Sequence, residues 1–268
     1  TGCGHCPQKR KFPASLWLDR SRRNYMDKKT AFTSIPPKRL TIVPVSEWIH
    51  SEMQKSFFQG YNFHVIHNGI NTEIFKLFDT GSIKNKYHLN GKHVLLGVAS
   101  IWSEEKGLYD FIKLAKLLKE DEIIMLVGIK PKESRLLPPN IIGIARTENI
   151  RQLAELYSAA DVFINLTWQD NYPTVNLEAI SCGTPVVTYR TGGSIEAVTE
   201  NTGYIVEQGD IEGIISAVRL IEQRGKNSYT TSCREYALKH FKKEDRYADY
   251  ISLYETLLYE RSTNTRNR

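Results

Sequence analysis

From residue 93 onward, short apolar segments alternate with segments of helical pattern, and this alternation limits the fold more than any other feature. The apolar runs of strand length are 94–99, 123–127, 141–144, 162–166, 185–189 and 203–206. In the segment 107–119, apolar residues recur with helical period. Continuous apolar strands separated by amphipathic helices indicate a parallel sheet with helices on both faces. We therefore predict an α/β fold built on a Rossmann-like parallel sheet.

The remaining segments are assigned by the same criteria. Before residue 93, we predict helices at 21–33 and 47–57, with Ser46 capping the second, and short strands at 40–43 and 63–66. The polar segment 76–91 is interpreted as a linker. Further helices are predicted at 150–159, 194–198, 211–223, 228–240 and 244–260. An apolar face is expected on the last of these helices, built from Tyr247, Tyr250, Ile251, Tyr254 and Leu258.

Positive charge is concentrated at the start of the chain. The net charge is +6, but residues 1–39 alone carry ten Lys or Arg against two Asp. Such a segment can bind nucleic acid or an anionic membrane surface, or it can simply aid solubility. No nucleic-acid-binding motif accompanies it, so we expect no nucleic-acid partner. The chain has no apolar run of about 18 residues, and we expect a cytoplasmic protein, with peripheral contact at the inner membrane face left open.

The cysteines are too few and too scattered for a disulfide framework. Cys182 and Cys233 lie within helical patterns and are expected to be buried. Cys3 and Cys6, with His5 between them, have the spacing of half a zinc site or of a redox pair. Tetrahedral zinc needs four ligands, so we expect no complete zinc site in this chain. Whether Cys3 and Cys6 bind a metal stays open.

Two carboxylates eight positions apart, Asp170 and Glu178, mark the candidate site. Asp170 follows a predicted buried strand, and Glu178 lies in a predicted helix that ends before Gly183. Two further loops, 100–106 and 189–196, also leave the carboxyl ends of strands, where open parallel sheets bind ligands. A helix N-terminus favours phosphate groups, and carboxylates accept hydrogen bonds from hydroxyl groups. The pattern fits a polyhydroxylated, phosphate-bearing ligand about as well as it fits a solvated loop acid and a surface helix Glu.

Dinucleotide and mononucleotide fingerprints are missing from the sequence. It contains no Gly-x-Gly-x-x-Gly pattern and no Gly-x4-Gly-Lys-Ser/Thr pattern. The sequence therefore gives no support to a nicotinamide or flavin site or to a P-loop.

The motifs, taken together and in order, resemble those of the family 4 retaining nucleotide-sugar glycosyltransferases, which have the GT-B fold. The resemblance covers about residues 63–260. It is carried by five stretches with family-like spacing: Val65-Ile-His-Asn-Gly-Ile-Asn71, Gly97-Val-Ala-Ser with Glu105-Lys-Gly107, Ala160-Asp-Val-Phe-Ile164, Asp170 to Glu178, and Gly183-Thr-Pro-Val-Val187 with Gly192-Gly-Ser-Ile-Glu196. Residues 100–102 look like a stretch found in a polysaccharide-biosynthesis subgroup.

The resemblance implies roles for the matching residues. Lys106 and the backbone amides of Thr174 and Val175 would bind the donor diphosphate, Glu178 the ribose hydroxyls, and Asp170 the transferred sugar. The catalytic candidates are thus Asp170 and Glu178, and the substrate-binding candidates are Ser100, Lys106, Asn171, Tyr172, Pro173, Thr174 and Val175. The family implies neither a metal nor a cofactor, since the nucleotide-diphosphate sugar is itself the donor substrate.

Two departures from the family pattern concern charged positions. The first Glu of the family motif is Asp170 here, which is one methylene shorter. The family's diphosphate-binding Arg is replaced by Ile101, a change that removes a bidentate phosphate donor. Arg146 and Arg190 are candidates to compensate.

The resemblance also implies a division of the chain. Residues 1–75 are expected to be a remnant of an acceptor domain, 76–242 the donor-binding Rossmann-like domain, and 243–268 a cross-over helix and tail. The expected activity is retaining transfer of a hexose from a nucleotide-diphosphate sugar to a saccharide or lipid-linked acceptor in polysaccharide biosynthesis. Alternatives are a non-catalytic nucleotide-sugar-binding fragment and another GT-B enzyme such as a sugar epimerase. The sequence does not specify base, sugar, acceptor, linkage or oligomeric state.

Overall fold

The computed structural model describes residues 18–266. The chain forms two compact units, and the division lies between Val65 and Ile66. Cys3, His5 and Cys6 lie outside the described residues, together with the first part of the basic segment. The expected functional boundaries at residues 75 and 242 stay predictions.

The first unit is built, within its described residues, from short elements. These are α1 (Ser21–Phe32), a 3₁₀ turn (Pro37–Arg39), β1 (Thr41–Ile42), α2 (Glu47–Gln54) and β2 (Asn62–Phe63). β1 and β2 pair in parallel. Ser46 caps α2 as predicted, because its Oγ accepts a hydrogen bond of 3.1 Å from the N–H of Ile49. Both predicted helices are confirmed, although α2 ends before residue 57. The strand predicted at 40–43 is confirmed as the shorter β1, whereas β2 overlaps the strand predicted at 63–66 only at Phe63.

The second unit carries the regular alternation of strands and helices. Its strands are β3 (His93–Val98), β4 (Glu122–Val127), β5 (Ile141–Ile144), β6 (Val162–Asn165), β7 (Val186–Tyr189) and β8 (Gly203–Val206). Its helices are α3 (Gly81–Lys86), α4 (Leu108–Leu114), α5 (Pro131–Ser134), α6 (Ile150–Ala159), α7 (Thr174–Ser181), α8 (Ile211–Arg224), α9 (Asn227–His240) and α10 (Lys243–Arg266). All six predicted strands are confirmed to within one residue at each end.

The strands β3 to β8 form one parallel sheet in the order β5-β4-β3-β6-β7-β8. The chain moves outward from β3 to β5 and then returns with β6 to the other side of β3. This reversal creates a switch point between β3 and β6, where the loops that leave the two strands diverge. Ligands of open parallel sheets bind beyond the carboxyl ends of the strands at such a point. The predicted α/β class with a Rossmann-like sheet is confirmed.

The two strands beside the switch point are anchored in the core. Leu95 and Leu96 of β3 and Phe163 of β6 are fully buried. The ring of Phe163 packs edge-on against Tyr157 of α6, with 5.4 Å between ring centroids. Each buried side chain of this size stabilises the fold by about 1.5–3 kcal/mol. The loops that leave these strands therefore start from a rigid frame.

Two expectations are corrected by the structure. The segment 76–91 is more than a linker, because it contains α3 and buries Ile83 and Leu89 in the core. These two apolar side chains stand among polar neighbours, so their packing was not apparent from the pattern. The helix predicted at 194–198 is instead a short 3₁₀ turn, Gly192–Ile195. Two glycines at its start explain the difference, since glycine disfavours a regular helix.

The long helix α10 exposes an apolar stripe, as predicted. Tyr247, Ile251, Tyr254 and Leu258 are exposed at spacings that place them on one side of the helix. Tyr250 is partly buried. Across the described residues, none of the helices combines the length and apolarity needed to cross a bilayer.

Candidate functional site at the switch point of the sheet

A cavity of about 360 Å³ lies at the switch point, where β3 and β6 end. Its lining residues come from the ends of these strands, from the loops that follow them and from the start of α7. They are Val98, Ala99, Ser100, Trp102, Lys106, Phe111, Ile164, Asn165, Leu166, Asp170, Tyr172, Pro173, Thr174 and Val175. Seven of the nine predicted site residues are therefore brought together in one cavity.

The N-terminus of α7 forms one wall of the cavity. Pro173 precedes the helix and gives it no side-chain cap. The first backbone N–H groups of a helix have no partner within the helix, and the helix dipole makes this end attractive to anions. Thr174 and Val175, the first two residues of α7, both line the cavity. This end of α7 is thus suited to bind a phosphate group.

Lys106 supplies the positive charge. Among the described residues that line the cavity, it is the one cationic side chain. Its Nζ lies 2.7 Å from Oδ2 of Asp170, and both side chains are partly exposed. A lysine that pairs with a carboxylate at this distance can pair equally well with a phosphate oxygen.

The loop that carries Lys106 packs tightly on the loop after β6. Gly107 has φ of 77°, and a Cβ at this position would lie 2.3 Å from the carbonyl oxygen of Leu166. Thr167 Oγ1 donates a hydrogen bond of 3.3 Å to the carbonyl oxygen of Glu105. Glycine after Lys106 is therefore required by the close approach of the two loops.

The third predicted loop supports Asp170 from behind. The N–H of Gly193 donates a hydrogen bond of 3.0 Å to the carbonyl oxygen of Asp170. Gly192 has φ of 50°, and a Cβ there would lie 2.0 Å from the same oxygen. The expectation that one crevice unites the three loops is thus met by two of them, because residues 189–196 contact the backbone of Asp170 but do not line the cavity.

Glu178 lies on α7 outside the cavity lining. Its Oε2 accepts a hydrogen bond of 2.9 Å from the hydroxyl of Tyr157, and the side chain of Thr174 also bonds to it. Burial raises the pKa of Glu178 from 4.5 to about 7, although these hydrogen bonds oppose the shift. Glu178 is thus poised to exist in both protonation states near neutral pH.

Other predicted residues lie apart from the cavity. Asn171 is exposed and does not contribute to the lining. Ile101, in the place of the family's Arg, is 61% exposed. Neither candidate for compensation lines the cavity: Arg190 pairs with Glu207 at 2.6 Å, and Arg146 is exposed after β5. The suggested replacement of the missing Arg thus finds no support in the described lining.

Seven lining residues were not predicted, and three of them, Trp102, Phe111 and Asn165, have specific contacts. Trp102 is buried, and its Nε1 donates a hydrogen bond of 2.8 Å to the carbonyl oxygen of Val127. Phe111 packs edge-on against it, with 5.3 Å between ring centroids. Asn165 Nδ2 donates a hydrogen bond of 2.9 Å to Oδ1 of Asn176. A polar residue at the end of an otherwise apolar strand was the available signal for Asn165.

A second cluster of ionisable groups lies at the amino ends of β3 and β4. In the described part of the chain, His93, Glu122 and Glu222 stand close enough together to hold a metal ion. Arg219 pairs with both carboxylates, and Lys119 lies 3.0 Å from Glu222. Their charges are thus neutralised by side chains, and the cluster is a structural ion-pair network.

The sequence of the cavity-bearing unit matches a known family. Residues 92–223 match the family described as "Glycosyl transferases group 1". The N-acetyl-alpha-D-glucosaminyl L-malate synthase of Bacillus anthracis is 24% identical over 232 residues, which cover 82% of this chain and 59% of the relative. The capsular polysaccharide biosynthesis glycosyltransferase CapM of Staphylococcus aureus is 25% identical over 211 residues, which cover 72% of this chain and 54% of the relative. This chain therefore spans between half and two thirds of their length.

The fold is shared with solved structures. The crystal structure of HepE from Anabaena in complex with UDP-glucose superposes with a TM-score of 0.68 at 18% identity, covering 81% of this chain and 64% of that chain. Structural neighbours of this kind are GT-B glycosyltransferases. Residues 92–223 thus match the group 1 glycosyl transferases, and the glycosyltransferase relatives and the shared GT-B fold support a family 4-like glycosyltransferase.

Proposed function

We propose that the switch-point cavity binds a nucleotide-diphosphate sugar and that this chain supplies the donor side of a hexosyltransferase. The reaction is transfer of the sugar, with retained configuration, to a saccharide or lipid-linked acceptor in polysaccharide or glycoconjugate synthesis. One observation carries the proposal: Lys106 and the uncapped N-terminus of α7 line the same cavity as Asp170. The cation of Lys106 and the anion-binding N-terminus of α7 suit a diphosphate, and the carboxylate of Asp170 suits sugar hydroxyls.

The size and composition of the cavity support a ligand of this class. Its volume of about 360 Å³ lies within the range of small-molecule sites. Trp102 and Phe111 give it an apolar wall, whereas Lys106 and Asp170 give it polar groups that can orient a ligand.

Binding of the diphosphate changes the partner of Lys106. In the free chain, Lys106 Nζ pairs with Asp170 Oδ2 at 2.7 Å. A diphosphate beside α7 competes for the ammonium group and releases the carboxylate. Asp170 then accepts hydrogen bonds from hydroxyl groups of the sugar. The ion pair thus keeps both side chains oriented until the donor replaces it.

Glu178 is proposed to accept hydrogen bonds from the ribose. It lies on the same helix as Thr174 but outside the cavity lining. Its carboxylate form accepts hydrogen bonds more strongly than its neutral form. Burial disfavours the charged form of Glu178 and raises its pKa to about 7. Hydrogen bonds from the bound ribose hydroxyls would stabilise that charged form.

Relatives guide the choice of donor and acceptor. HepE was solved with UDP-glucose, so uridine is the first base to test. The relative CapM acts in capsular polysaccharide biosynthesis. We extend both properties to this chain as part of the proposal. Peripheral contact of the basic segment with an anionic inner membrane face would bring the site to a lipid-linked acceptor.

A second candidate is nucleotide-sugar binding without transfer. The exposed Ile101 in the place of the family's Arg favours it, since the site then lacks one bidentate phosphate donor. Both candidates share the cavity and differ only in turnover.

A calorimetric panel tests the proposal. The folded chain is titrated with UDP-glucose, UDP-galactose, GDP-mannose, ADP-glucose and free glucose, and each donor is then assayed for transfer and hydrolysis. We expect at least one nucleotide sugar to bind and free glucose not to bind. Transfer of the sugar supports the transferase, and binding without turnover supports the second candidate. A folded chain that binds none of the nucleotide sugars contradicts both.

A further inference from the structure

Asp110 is a buried carboxylate for which the donor site described above has no role. It lies in the first turn of α4 and is only 3% exposed. Its Oδ2 accepts hydrogen bonds from Trp168 Nε1 at 3.0 Å and from the hydroxyl of Tyr189 at 3.2 Å. Its Oδ1 accepts one from Lys113 Nζ at 2.9 Å. Burial of a carboxylate is costly unless such donors satisfy it. The three hydrogen bonds therefore fix the positions of the carboxylate and of its donor groups relative to one another.

The partner Trp168 is held by all of its polar groups. Its backbone N–H donates to the carbonyl oxygen of Glu105 at 2.8 Å. Its carbonyl oxygen accepts from Thr191 Oγ1 at 2.7 Å and from Gln208 Nε2 at 2.6 Å. Its ring packs edge-on against Tyr189, with 6.4 Å between centroids. Trp168 therefore connects the loop after β6 to Glu105, Thr191 and Gln208.

The position of this contact relates it to the cavity. Asp110 follows Lys106 by four residues, and Trp168 precedes Asp170 by two. The hydrogen bond between Asp110 and Trp168 thus joins the two segments whose charged side chains meet in the cavity. Loops tend to be mobile unless they are held, and a charge-assisted hydrogen bond is among the stronger ways of holding one.

We propose that Asp110 is a positioning residue of the donor cavity: through Trp168, it fixes the loop that carries Asp170. The inference rests on the proposed function, because the expected ligand is a nucleotide sugar. Its consequence is selective. The sugar is bound at Asp170 and depends on this loop, whereas the diphosphate is bound at Lys106 and α7. Loss of the hydrogen bond between Asp110 and Trp168 therefore weakens the binding of the nucleotide sugar more than the binding of the nucleoside diphosphate.

A double-mutant cycle on the full chain tests the coupling. Asp110→Ala, Trp168→Phe and the double variant are titrated with UDP-glucose and with UDP. Each single change is expected to weaken the binding of UDP-glucose by about ten-fold and that of UDP by less than about two-fold, since each removes the hydrogen bond between Trp168 and the charged Asp110. The double variant is expected to lose no more than either single variant. Additive losses, or equal losses for both ligands, would overturn the proposal.

Two further variants separate positioning from general stability. Asp110→Asn keeps an oxygen that can accept from the indole, and it is expected to recover most of the affinity for UDP-glucose. Lys113→Ala removes a partner of Asp110 but leaves the link to Trp168, and it is expected to change the affinity by less than about two-fold. A loss in Lys113→Ala as large as that in Asp110→Ala would overturn the assignment to Trp168.

The indole N–H signal of Trp168 in a ¹H–¹⁵N spectrum gives a readout that needs no ligand. It is assigned by its disappearance in Trp168→Phe. In Asp110→Ala, the signal is expected to shift and to exchange faster with solvent, while Lys113→Ala leaves it in place. An unchanged signal in Asp110→Ala overturns the contact itself. If wild type shows the contact but binds none of the nucleotide sugars of the panel, the proposed function fails and the positioning role fails with it.

Discussion

At the residue scale, the candidate site depends on a few ionisable groups with separate tasks. Lys106 is the cation among the described lining residues, and its partner Asp170 is the acid of the cavity. Glu178 stands apart on α7, with its pKa raised to about 7 by burial. The two acids that the sequence places eight positions apart are therefore unequal in environment. Asp170 is available to the cavity, whereas Glu178 must first lose its proton to act as a full acceptor.

This difference predicts a pH dependence of binding. As pH rises through about 7, Glu178 loses its proton in the free chain, and the affinity for UDP-glucose is expected to rise. Glu178→Gln cannot ionise, so its weaker affinity is expected to stay constant over the same range. Isothermal titration with UDP-glucose measures this, because its diphosphate is fully ionised throughout. Glu200→Gln, at an exposed turn, serves as the control and should keep the wild-type profile.

The same pKa shift has the opposite sign for stability. The folded chain holds the proton of Glu178 more tightly than the unfolded chain does. The contribution of Glu178 to the free energy of unfolding is therefore present at low pH and is lost as pH rises from 4.5 to about 7. Urea denaturation should show this loss in wild type and not in Glu178→Gln. Identical pH profiles of the two proteins would rule out the raised pKa.

At the scale of elements, the cavity is made by ends of strands and helices rather than by their middles. The loops that leave β3 and β6 diverge, and α7 begins without a cap. The turn Gly192–Ile195 supports the loop between β6 and α7. The support is close enough to exclude a side chain. Gly192 has φ of 50°, and its Cβ would lie 2.0 Å from the carbonyl oxygen of Asp170.

Gly192→Ala is therefore expected to displace the loop that carries Asp170. Gly225 provides a matched control, because it also has positive φ, of 80°, but its Cβ would meet no atom within 4 Å. Both Ala variants should lose about 1 kcal/mol through backbone strain. Only Gly192→Ala should lose more stability than this and bind UDP-glucose more weakly. Equal affinities of the two variants in titrations would show that the turn does not support the site.

The elements that sequence patterns predicted well are those governed by short-range rules. Continuous apolar runs located β3 to β8 to within one residue, and strand ends located Lys106, Asp170 and Thr174. Patterns did not reveal the burial of Leu89, since a lone apolar residue in a polar segment carries no period. They also missed Asp110, because its partner Trp168 lies 58 residues away and only the sheet order brings the two together.

At the scale of the whole molecule, the order of the strands decides where chemistry can occur. The sheet order β5-β4-β3-β6-β7-β8 creates one switch point, and the cavity with Lys106 lies there. The ion-pair cluster around Glu122 lies at the amino ends of β3 and β4 and is neutralised by Arg219. The two clusters of charge thus differ: the first lines an open cavity, and in the second the charged side chains pair with one another.

The central claim is that Lys106 and the start of α7 bind the diphosphate of a nucleotide sugar, and the affinity of Lys106→Ala for UDP-glucose tests it most directly. Loss of a charge-assisted hydrogen bond is expected to weaken binding by about ten- to a hundred-fold. Lys116→Ala is the matched control, since Lys116 is an exposed lysine outside the cavity. It should bind as wild type does. Equal affinities of the two variants and wild type, measured by calorimetry on folded protein, would contradict the account.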